Sequence, residues 1–162
     1  MPTYQPSRKR ASLSTIEPKL PKMANQRPFN PEALTPFAVP WIKPNIGNWA
    51  TVWRYTLLVP VEHILADGSV RTVATPEDLL NLELMLIEHF GGITTLGQCL
   101  GLGMRDPKDP VASRETNKHA SYLVYAPAAP AADQYFQALR AELQDALVEA
   151  MILVERQEVL LL

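Results

Sequence analysis

The sequence predicts an α+β domain, one antiparallel sheet with helices on a single face, behind an extended N-terminal arm. Three observations carry that prediction. The first is a change of texture at Trp49. Nine of the fifteen prolines precede it, with seven Lys or Arg against Glu17 and Glu32, so residues 1–48 carry +5 and residues 49–162, with eight bases and fifteen acids, carry −7. The second is strict alternation of aromatic and β-branched residues from Trp49 to Val59. The third is a pair of segments, starting at Leu79 and Tyr135, whose apolar residues recur with helical spacing.

The arm, residues 1–48, has prolines at 2, 6, 18, 21, 28, 31, 36, 40 and 44. Each removes a backbone donor and biases the preceding residue toward extended conformations, so helices of useful length and central strands are excluded. Its composition is not that of a free linker, because Ile16, Leu20, Met23, Phe29, Leu34, Phe37, Val39, Trp41 and Ile42 are spaced along it. Two arrangements fit. The last part, roughly residues 29–46, packs on the chain's own domain, or the arm is a tether laid along another subunit. In the second case Phe29, Phe37, Trp41 and Ile42 are the partner-binding anchors and Arg8, Lys9 and Arg10 the charge contacts.

In the domain, residues 49–162, the first strand covers Trp49 to Val59, followed by turn chemistry at Ala66-Asp67-Gly68-Ser69 and a short extension at Val70 to Val73. Thr75-Pro76-Glu77-Asp78 marks a helix start: a hydroxyl to accept from free amides, a proline at the first position, and acids that favour the dipole. Leu79, Leu82, Leu86 and Phe90 line that helix, with Leu80, Leu84 and Ile87 broadening its apolar face, and Gly91-Gly92 ends it. Ile93 to Leu102 reads as a strand interrupted by glycines, residues 104–117 as a polar loop, and His119 to Ala126 as a third strand. A second helix follows Pro127 to Pro130, with Tyr135, Phe136, Leu139, Leu143 and Leu147 inward. Met151 to Val154 fits either the last helical turn or the start of a strand, and residues 157–162 close as a strand.

The order strand, helix, strand, strand, helix, strand is that of the ferredoxin-like split βαβ sandwich. The other face of its sheet, to which Trp49, Trp53, Tyr55, Tyr122 and Tyr125 are available, then needs a cover. Glu88-His89-Phe90-Gly91-Gly92-Ile93-Thr94, with the glycine-containing strand, polar loop, aromatic-bearing strand and terminal Gln157-Glu158-Val159-Leu160 that follow, resembles small uncharacterised bacterial ferredoxin-like domains over about residues 52–162. The resemblance implies a fold and no catalytic residue.

Chemistry is sparse. Cys99 is the single cysteine, so an internal disulfide and a cysteine-rich zinc site are both excluded within one chain, and a reducing, cytoplasmic setting fits best. The basic start lacks the apolar run of a signal peptide, and no apolar stretch approaches the ~20 residues of a membrane span, so a soluble protein is expected. His63, His89 and His119, with Glu62, Glu88 and Cys99, share no ligand spacing; they read as three separate structural positions, and neither metal nor cofactor is expected. The glycines of Gly97-Gln98-Cys99-Leu100-Gly101-Leu102-Gly103 precede no capped helix, so they fit a bulged strand better than a phosphate loop. Lys118 to Tyr125 loosely echoes the aromatic strand of RNA-recognition domains, but Ala120 replaces the needed aromatic, and the acidic domain repels phosphate.

The functional expectation is therefore a non-enzymatic accessory or adaptor subunit of a larger assembly, partnered by other protein subunits and tethered by its arm, with homodimerisation open. One alternative is a small dimeric enzyme or ligand-binding protein using a histidine in a sheet-side pocket. The other is a nucleic-acid accessory factor acting through the basic arm alone.

Overall fold

The computed structural model describes residues 19–20, 25–37, 51–104, 108, 114–148 and 152–160. In chain order the elements are β1 (Lys19–Leu20), a 3-10 helix (Pro31–Phe37), β2 (Thr51–Ile64), β3 (Val70–Thr72), α1 (Pro76–Phe90), β4 (Thr94–Met104), β5 (Arg114–Pro127), α2 (Pro130–Leu147) and β6 (Leu153–Leu160). The protein is α+β. β2 pairs antiparallel with β5 along one margin, and along the other with β6 over Thr51–Leu58 and with β3 over Glu62–Ile64. β5 pairs antiparallel with β4, giving the order β6–β2–β5–β4, and β1 joins β3 in parallel.

α1 forms where its caps dictate. Thr75 Oγ1 accepts from the Asp78 amide at 3.2 Å, Asp78 Oδ2 accepts from the Thr75 amide at 2.8 Å, Pro76 occupies the first turn, and Gly91 closes the helix at φ 81°. α2 is less well provided. Ala129 gives no side-chain cap, the last turn holds no base, and the helix stops at Val148 with φ 52°, a conformation that β-branched residues adopt only under strain.

Strand alternation sends Tyr55, Leu57 and Val59 of β2 and Ala120, Tyr122, Val124 and Ala126 of β5 beneath the helices, where Leu82, Leu86, Phe90, Tyr135, Phe136, Leu139, Leu143 and Leu147 meet them. Tyr55 stacks on Phe136 with ring centres 3.8 Å apart. Burial and a hydrogen bond to Asp133 at 2.8 Å raise the Tyr55 hydroxyl above its ordinary pKa; burial and a bond to Glu83 at 3.0 Å do the same for Tyr122.

Several expectations change. Tyr55 and Tyr122 belong to the core, not to the far face of the sheet, because both fall on the inward phase of their strands. β2 continues past Val59 to Ile64, so Glu62 and His63 lie within a strand, where Glu62 accepts from Lys118 Nζ at 2.8 Å. β5 begins at Arg114 and β4 reaches Met104, so Met104 and residues 114–117 of the expected loop are paired strand, and His119 sits within β5. β6 starts at Leu153, so Leu153 and Val154 belong to the closing strand and not to a last helical turn.

Residues 25–37 form a strap over the helices. Phe29 and Leu34 insert into the core, Phe29 with 3% of its surface exposed. The Arg27 amide donates to Ala146 O at 3.0 Å and Gln26 Nε2 to Leu147 O at 2.7 Å, satisfying carbonyls that the end of α2 leaves open. Arg27 also holds Glu142 through two bonds of 2.6 and 2.7 Å and Asp145 at 2.7 Å, which raises its pKa further. The prolines are expected to exclude a helix of useful length; the arm forms a short 3-10 helix of seven residues at Pro31–Phe37, with Pro36 inside it.

Candidate functional site

The outward side of α1 is where sequence and environment disagree most. Leu80, Leu84 and Ile87, spaced four and three residues apart on one stripe, are exposed, Leu84 by 55%. They were expected to widen the buried face, yet Leu82, Leu86 and Phe90 already fill it. The charged residues of α1 are Glu77, Asp78, Glu83 and Glu88, with no Lys or Arg, and Asp78 is buried in the cap. The stripe is thus apolar with an acidic rim.

Where the 3-10 helix leans over α1, a half-open cleft of ~450 Å³ is lined by Pro31, Leu34, Leu84, Met85, Glu88 and His89 among others. The His89 imidazole stacks on Tyr135 at 4.4 Å and packs edge-on to Phe90 at 4.8 Å. A helix C-terminus favours imidazolium, but burial outweighs that and holds His89 below its usual pKa. Burial likewise raises Tyr135.

β4 carries further exposed leucines. Every residue from Thr94 to Leu100 is exposed, and so is Leu102. Leu100 and Leu102 leave 69% and 71% of their surfaces uncovered, and Leu96 more than half. Gly97, at φ 88°, sits at the register shift against β5, so the glycines do mark a bulged strand. Gly101 leaves room for the His119 imidazole, since a Cβ there would lie 3.2 Å from His119 Cε1.

The face away from the helices gathers polar groups that the sequence left apart. His119 is opposite Cys99 on one side and Pro60 on the other, and His63 is opposite Asn117. His63 is buried, its Nδ1 3.8 Å from a Glu115 carboxylate oxygen, and Asn117 Oδ1 is buried without a hydrogen-bond partner among the described residues. Sequence spacing missed this convergence because it depends on register between three strands. No group of three or more His, Cys, Asp or Glu suited to a metal occurs among the described residues.

Of the expected partner anchors, Phe29 lies in the chain's own core and Phe37 is exposed. Trp41, Ile42, Arg8, Lys9 and Arg10 lie outside the described residues. Among the described residues no helix is long and apolar enough to cross a membrane. Compared with known proteins, the chain matches no family model, no curated protein and no solved structure.

Proposed function

We propose that this protein is a non-enzymatic accessory subunit that works by holding other proteins in an assembly, on a ferredoxin-like split βαβ sandwich. The strand order β6–β2–β5–β4 supports that fold, as does the resemblance of residues 52–162 to small ferredoxin-like domains. The observation that carries the function is the outer stripe of α1, Leu80, Leu84 and Ile87 between Glu77 and Glu88. Half-exposed aliphatic side chains each leave about 1 kcal/mol of burial unused. Such a stripe fits an amphipathic helix whose apolar face is edged by Lys or Arg, because groove and rim are then both complementary.

The arm supplies a second, linked attachment in this reading, which raises avidity without new contacts at α1. Its anchors are Phe37, Trp41 and Ile42, with Arg8, Lys9 and Arg10 as charge contacts; Phe29 serves the domain. A cytoplasmic setting accords with the single exposed thiol, Cys99.

The test is capture from the native source with wild-type protein, Leu84→Lys/Ile87→Lys and His119→Ala side by side. We expect one co-purifying protein, retained by His119→Ala and depleted more than tenfold by the α1 variant. Retention of that protein by the α1 variant would sink this assignment. A second reading, a small-ligand site on the other face, draws on the convergence of His63, Asn117, His119 and Cys99. It predicts a small molecule in purified wild-type protein that His119→Ala lacks.

A further inference from the structure

β4 presents a sheet margin unlike the others. Natural proteins blunt exposed edges with charges, prolines, bulges or a covering segment, because an open row of N–H and C=O groups recruits another strand; of these β4 has only the bulge at Gly97, near its start. β6 follows that rule with Glu155, Arg156 and Glu158 in eight residues, and β3 is covered by β1. β4, Thr-Thr-Leu-Gly-Gln-Cys-Leu-Gly-Leu-Gly-Met, has neither a charge nor a proline in eleven residues. On its outer side it pairs with nothing among the described residues, and it is exposed on both faces from Thr94 to Leu100.

We infer that the occupant of this edge is a second copy of the chain, with the two β4 strands antiparallel across a two-fold axis. An edge strand is self-complementary under such an axis, and each copy lacks the like charges that would oppose contact. Overlap centred on Cys99 places that residue on the axis and brings Leu102 of each copy beside the bulged Leu96–Gly97 segment of the other. The eleven-residue strand runs about 37 Å. With the leucines the contact removes on the order of 1,000 Å² in total, the lower bound for a specific interface, so a weak, concentration-dependent dimer is expected. The axis also brings opposed Cα atoms to about 4.5–5.5 Å, within disulfide reach. This inference stands on a different element from the α1 stripe.

Sedimentation of the full chain across nanomolar to high-micromolar concentration, with three variants, tests it. Wild type and Cys99→Ser should dimerise alike, Leu84→Lys/Ile87→Lys should leave the dimer intact, and Leu100→Lys/Leu102→Lys should weaken it at least tenfold while melting normally. Mild oxidation with copper phenanthroline should link wild-type dimers through Cys99, visible on a non-reducing gel and absent in Cys99→Ser. Cys99→Ser supplies a folded control should the double lysine variant misfold. A monomer at every concentration overturns the inference, and so does a dimer that survives the β4 lysines and resists cross-linking. Capture of a different protein on β4 by a chain that is monomeric alone overturns it as well.

Discussion

Asp78 shows how much a single side chain organises here. One carboxylate oxygen closes the α1 capping box, and the other accepts from the Phe29 amide at 3.1 Å, so the same buried residue starts a helix and pins the strap. Phe29 can then enter the core at an angle fixed by its own backbone. Truncation leaves a void in the core cluster, so Phe29→Ala should cost about 3 kcal/mol in denaturant unfolding. A loss below ~1 kcal/mol would mean the strap does not contribute to the core.

At the scale of elements, α1 and α2 illustrate two kinds of ending. Everything that bounds α1 is local: Thr75, Pro76, Asp78 and Gly91 all lie within two residues of its ends, and each was readable in the sequence. α2 ends on Glu142 and Asp145, acids at the negative end of a dipole, and on Val148 in a left-handed conformation. What rescues it is Gln26 and Arg27, more than 110 residues earlier in the chain. No local pattern encodes that partnership, which is why the arm reads as a separate polymer although residues 25–37 are part of the packed domain. Val148→Gly should relieve the strain and raise stability by up to about 1 kcal/mol, offset in part by the packing of a side chain that is 37% exposed; calorimetric melting checks it.

The same contrast governs the candidate site. The leucines of α1 were legible as an excess, since apolar residues nearly surround the helix, but periodicity cannot say which of them remain uncovered. The strands were legible by alternation, and their bounds were not, because the polar run from Arg114 to Lys118 is paired across to β2 and β4 whatever its composition. Register then brings His63, His119 and Cys99 to one face, a relation invisible to spacing along the chain.

For the whole molecule, acidity links fold to environment through His89. Its folded-state pKa is lowered by burial, so the unfolded chain takes up the proton at higher pH. Stability from this residue is therefore present above the unfolded value near 6.5, falls as pH drops below it, and is fully lost below the folded pKa. His89→Phe keeps a ring against Tyr135 and should flatten the decline in melting temperature between pH 7 and 5.5. An unchanged decline would assign it to other groups.

The molecule as a whole is a packed core with two leucine-bearing surfaces left exposed, on α1 and on β4, and a strap that packs across both helices. We propose that it acts by association through those surfaces. Amide hydrogen exchange of the isolated chain at nanomolar concentration, compared with the assembly purified from its source, is the decisive measurement. Protection should appear in residues 76–90 and 94–104 on assembly. Unchanged exchange in both segments, with protection confined to the strands bearing His63 and His119, would contradict it and point to a bound ligand on the other face.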